Sequence, residues 1–143
     1  MKKIAPFVLF TTLPFIAACA STPVAPVVPA AIAVPVGHNV AMTTVGVGEI
    51  TYECRVKADA PGTYAWAFVA PVATLFNADK SKTVGSYYAG PTWQANDGSK
   101  VTGKQLAVSP APAPKAIPLQ LVQAAPTSGS GDMVGVSYIQ RLN

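Results

Sequence analysis

Residues 49–57 read Glu-Ile-Thr-Tyr-Glu-Cys-Arg-Val-Lys. Apolar and polar residues alternate without a break. In an extended chain this puts Ile50, Tyr52, Cys54 and Val56 on one face and Glu49, Thr51, Glu53, Arg55 and Lys57 on the other. A helix would scatter the same residues around its circumference. The stretch therefore predicts a half-buried strand, with Cys54 in the core as a small hydrophobe. Thr63–Val69 repeats the pattern, with Tyr64, Trp66 and Phe68 on one face, expected to fill the core, and small residues on the other. Asp59-Ala-Pro-Gly62 between the two runs is a turn.

The remaining sequence continues in short β-like pieces. Asn39–Val45 is expected to pair with the first strand across Gly46-Val-Gly48. Pro71–Phe76 is a short apolar segment, and Asn77–Ser81 is a polar turn. Thr83–Tyr88 and Thr92–Ala95 flank Gly90-Pro91. Ser99–Val108 reads as a strand interrupted by Gly103. Ser109–Lys115 is proline-rich and extended, and Ile117–Ala125 fits a strand or a helical turn. Thr127–Gly131 is a loop, and Met133–Leu142 closes the chain as a strand. With no amphipathic helix in view, the expected class is all-β: one antiparallel sandwich or small barrel.

The first 36 residues have a different character. Lys2-Lys3 precedes an apolar run, Ile4–Ile16, too short to span a bilayer, which takes about 20 residues. Residues 1–18 fit a secretory leader. Ile16-Ala17-Ala18-Cys19 resembles a bacterial lipobox, which implies a lipid anchor on Cys19 and attachment to a membrane. Ala20 after the cysteine implies the outer membrane in an enteric-type sorting system, facing the periplasm or the cell surface. Residues 19–36 carry Pro23, Pro26, Pro29 and Pro35 among Ala and Val, the composition of an extended tether whose valines could also pack on the domain. The β-rich domain is expected at 37–143.

Charge and reactive groups exclude several functions. Removing the leader takes Lys2 and Lys3, leaving eight basic against six acidic residues, and the cations form no stripe. Nucleic acid is not an expected partner. The single histidine, His38, sits beside the tether, with no CxxC or HExxH pattern, so no metal or other cofactor is expected. Catalytic residues are likewise not assigned. The aspartates lie in turns, where their side chains bond their own backbone.

One stretch stands out as a candidate binding loop, Gly85–Ser99. Gly90-Pro91 and Asn96-Asp97-Gly98 fix the backbone around Tyr87, Tyr88 and Trp93. These residues, with Asp97, form either a recognition surface or a packed hairpin corner. Trp93 is expected to be mostly buried, with Tyr87 the more exposed.

Several of these blocks also form a recognisable set. Gly48 to Cys54, Trp66, Pro71-x-Ala73-x-Leu75, Gly85-x-x-Tyr-Ala-Gly-Pro-Thr-Trp93, Asp97-Gly-Ser99 and Ile139-Gln-Arg141 together resemble the domain of unknown function 3455 family, over about residues 34–143. The resemblance implies an extracytoplasmic β-rich domain and no established activity. The family's loop carries a histidine where Tyr87 stands, and its pattern continues beyond Ile139-Gln-Arg141, whereas this sequence ends at Asn143.

The sequence thus describes an envelope lipoprotein. Its leading functional reading is a non-catalytic module for an unknown ligand or envelope protein. The alternatives are a purely structural lipoprotein, or a hydrolase or lyase using Asp97 with Tyr87 or Tyr88.

Overall fold

The computed structural model describes residues 27–142. Cys19, the leader and the first part of the tether lie outside these residues. Seven strands follow in order: β1 (Val45–Lys57), β2 (Ala60–Phe76), β3 (Thr83–Tyr88), β4 (Thr92–Ala95), β5 (Lys100–Ser109), β6 (Leu119–Ala124) and β7 (Tyr138–Arg141). They form one open antiparallel meander in chain order, with β1 and β7 at its edges. The all-β antiparallel class is the one expected. A single 3-10 turn, Ala30–Ile32, precedes the strands.

The strand pattern departs from expectation in three places. Residues 39–44 are not strand, and β1 runs straight through Gly46–Gly48. Its partner is β2, which absorbs both Ala60–Gly62 of the expected turn and Pro71–Phe76 into a strand of 17 residues, so that the hairpin turns at Ala58-Asp59 instead. At the C-terminus only Tyr138–Arg141 pairs, because residues 126–137 turn back as a loop over the sheet.

Tyr87 on β3 and Arg141 on β7 share one face of the sheet, here the concave face, and Arg141 pulls on the Tyr87 hydroxyl across it. Two strand glycines let neighbouring strands close on this face. A Cβ on Gly85 would strike the Gln94 carbonyl, and one on Gly103 would lie 2.5 Å from Val122 Cγ1. Both point to the concave face, opposite Ala95 and Ala124.

Each face of the β4–β7 half carries a small core. On the concave side Ala95, Val101 and Met133 are buried together, with Trp93, Ala124, Val136 and Ile139 packed around them. On the convex side Ile32 is 0 % exposed and sits on Leu119 and Leu121. Val34 packs there as well, so residues 32–34 of the tether lie against the domain. Gln140 donates to the Ile32 carbonyl (2.7 Å) and holds this segment in place.

The β1–β2 hairpin is built differently. β3 pairs only with Ala73–Phe76, so Ala60–Val72 has β1 as its single neighbour. The two strands extend past the rest of the sheet as an arm. Cys54, expected in the core, is exposed there. So are Tyr64, Trp66 and Phe68, with Trp66 73 % exposed. The alternation does mark a strand, but among the described residues no second layer covers its apolar face.

Candidate functional site

Register decides which rings share a surface. Tyr52 faces Phe68, Cys54 faces Trp66 and Val56 faces Tyr64, and directly opposed residues point to the same side. Val69 is the extra residue of a bulge at this point, and it keeps Phe68 on the same side as Pro71. The row then continues through Ile50–Pro71 and Gly48–Ala73 to Tyr87, Trp93 and Val101. One apolar face runs from the arm's tip into the concave core. Tyr52 and Phe68 meet edge to face at 6.0 Å, and Tyr87 and Trp93 stack at 4.6 Å with planes 20° apart.

The opposite face of the arm is polar and small. Thr51, Glu53 and Arg55 stand across from Ala70, Ala67 and Ala65. Arg55 Nε donates to Glu53 Oε2 (2.8 Å), an exposed pair worth about 0.2–1 kcal/mol. A shallow recess opens where Ile50, Tyr52 and Trp66 approach the loop Ala116–Pro118. Arg141 holds that loop by donating from Nε and Nη2 to the Pro118 carbonyl (3.0 and 2.6 Å).

Of the four residues of the candidate loop, the structure brings two together. Tyr87 and Trp93 are partly buried and stacked, with Trp93 against the concave core. Burial pushes the Tyr87 hydroxyl above its usual pKa, against the opposing pull of Arg141. Tyr88 points to the other face, where its hydroxyl donates to Gln94 Oε1 (2.8 Å). Asp97 lies in the turn beyond the far end of β4, past Ala95 from Trp93.

Asp97 is a structural clamp. Oδ1 accepts from the Ser99 hydroxyl (2.6 Å) and the Ser99 amide (2.8 Å), and Oδ2 accepts from the Asp132 amide (2.8 Å). These bonds, the Ser99 hydroxyl first, lower the Asp97 pKa. The Ser99 oxygen in turn accepts from the Met133 amide (3.1 Å), which seats the Met133 side chain in the core. A Cβ on Gly131 would fall 2.6 Å from Asp97 Oδ2, so glycine is what lets the loop close on the clamp. Both oxygens face the protein's own donors, and neither tyrosine is among them.

His38 is exposed; its Nδ1 bonds the Pro35 carbonyl (3.0 Å) and its ring meets Tyr138 edge-on. Cys54 is far along the arm, and the two form no dyad. Among the described residues no group of three His, Cys, Asp or Glu side chains is placed to hold a metal ion.

The family described as protein of unknown function (DUF3455) matches residues 35–143. The chain belongs to this family. No curated protein and no solved structure matches it. The blocks that carried the DUF3455 resemblance have visible structural work. Gly90 takes φ +77° at the β3–β4 turn, and the Thr92 hydroxyl donates to its carbonyl. Asp97-Gly-Ser forms the clamp. Ile139, Gln140 and Arg141 reach the concave core, the Ile32 carbonyl and the Pro118 carbonyl in turn.

The exposed rings Tyr52, Tyr64, Trp66 and Phe68 are what the sequence reading missed in this DUF3455 chain. Their alternation is the same as that of a core face. The available signal was length: runs totalling 13 and 17 residues, beside neighbours of six and four, must overhang.

Proposed function

We propose that this DUF3455 protein is a non-catalytic, lipid-anchored module of the bacterial envelope that holds another polypeptide on the ring face of its arm. One observation carries the reading: Tyr52, Tyr64, Trp66 and Phe68 stand exposed on one face of a two-stranded projection, in line with the Tyr87–Trp93 stack. Contiguous exposed apolar surface of this kind marks interaction sites, and aromatic rings are enriched at protein interfaces. A flat ribbon suits a protein surface better than a small molecule, which prefers an enclosed concave pocket. The lipobox at Ile16–Cys19 supports attachment of the whole module to a membrane, with the outer membrane favoured by Ala20.

Two experiments test this. A photoreactive phenylalanine at position 66, on the ring face, should yield adducts with a second polypeptide in cells. The same group at position 65, on the polar face, should yield none. Equal yields from both, or none from either, would leave a purely structural lipoprotein. For the anchor, radiolabelled palmitate should enter the wild type and not Cys19→Ala; equal labelling removes the lipoprotein reading.

A further inference from the structure

The two edges of the sheet are unequal. β7 is four residues long, and its Arg141 side chain is tied to the Pro118 carbonyl. β1 is 13 residues long, and among the described residues no strand lies on its outer side. Such an edge offers a row of unpaired N–H and C=O groups and templates another strand. Of the devices that blunt an edge, β1 has charges on its polar face only: it has no proline, its ring face carries no charge, and the bulge beside Tyr52 places its extra residue on β2. Glu49, Glu53, Arg55 and Lys57 therefore decide which partner strand the edge accepts.

We propose that β1 pairs antiparallel with β1 of a second copy of this chain, about a two-fold axis through Tyr52. This rests on the strand edge and is independent of the ring-face reading. In a two-fold ladder, facing residues have numbers summing to twice that of the axis residue, and each pair shares a face. With the axis at Tyr52, Glu49 faces Arg55 of the second copy, and the pair occurs twice. Tyr52 faces Tyr52, Ile50 faces Cys54, Thr51 faces Glu53 and Val47 faces Lys57. Over residues 47–57 the register brings two Glu49–Arg55 pairs together and sets no like charges directly opposite each other.

Neighbouring registers fare worse. An axis at Thr51 opposes Glu49 to Glu53, and one at Glu53 opposes Glu53 to itself; like charges directly opposite are destabilising. An axis at Cys54 matches Glu53 to Arg55 but pairs only residues 51–57. Arg55 already holds Glu53 on its own strand, and its five-donor fork can take a second carboxylate. Pairing this way joins the two ring faces into one.

Sedimentation equilibrium of the full-length chain tests the pairing. The wild type should dimerise. Glu49→Lys and Arg55→Glu, each on the exposed polar face, should weaken dimerisation by about tenfold or more, since each sets two like-charge pairs face to face. The double variant Glu49→Lys/Arg55→Glu re-pairs opposite charges and should recover most of the affinity. A monomeric wild type overturns the proposal, as does a dimer indifferent to the single reversals or a double variant no better than either. Far-ultraviolet circular dichroism confirms that each variant is folded. For register, Tyr52→Cys/Cys54→Ser should form a disulfide-linked dimer under mild oxidation faster than the wild type does through Cys54. The reverse order would overturn the axis at Tyr52.

Discussion

The body of the molecule and its arm use the same ingredients to different ends. Both are antiparallel strands with rings on one face. In the body, loop 126–137 and the Ile32–Val34 segment cover the two faces of the sheet, and Ile32, Val101 and Leu119 lose nearly all contact with solvent. In the arm, among the described residues, only loop Ala116–Pro118 comes near the ring face, at Ile50, Tyr52 and Trp66, and a stacked, half-enclosed ring pair at Tyr87–Trp93 is matched by an open one at Tyr52–Phe68. Apolar periodicity alone thus measures strand geometry. Burial follows only when a second layer arrives.

The comparison can be broken most directly from the body. Ile32→Ala should cost about 2–5 kcal/mol in chemical denaturation, the range for a buried aliphatic truncation. A change under about 1 kcal/mol would mean that the tether segment does not contribute to the core, because only surface substitutions are that mild. Trp93→Ala lies between the two regions. Partial burial and the Tyr87 stack together predict a loss of about 2–3 kcal/mol, below the 3–5 of a fully enclosed ring. Trp93→Phe should recover part of it. A Trp93→Ala melting curve that overlays the wild type would place Trp93 with the arm.

The Asp97 clamp gives a smaller, pH-dependent effect. Its folded pKa lies below the ordinary 3.8, so the unfolded chain binds the proton more readily. The stabilisation is therefore present above that value and is lost as pH falls through the lower folded pKa. Asp79 contributes in the same direction through its Ser81 bonds. Asp97→Asn should be less stable than wild type at neutral pH, and the gap should narrow as the solution is acidified. A gap that stays constant with pH would show that the carboxylate charge is not what holds the loop. Smallest of all, Trp66→Ala should shift stability by no more than about 0.5 kcal/mol, as exposed substitutions do. A loss on the scale of Ile32→Ala would mean that the arm is covered after all.

The sequence by itself determined the all-β antiparallel class. Strict alternation at 49–57 and 63–69, turn residues at 96–98 and the lack of an amphipathic helix leave little else, and those signals are local. It also showed Gly90, Asp97 and Ile139–Arg141 as special, without saying that they serve turns, a clamp and loop anchors. Which rings are buried was decided by tertiary structure alone. Cys54 and Trp66 carry the same local pattern as a core strand, yet their fate depends on β3 ending after six residues and on where loop 126–137 returns. Burial is a property of what lies opposite a face, and residues distant in the chain supply it.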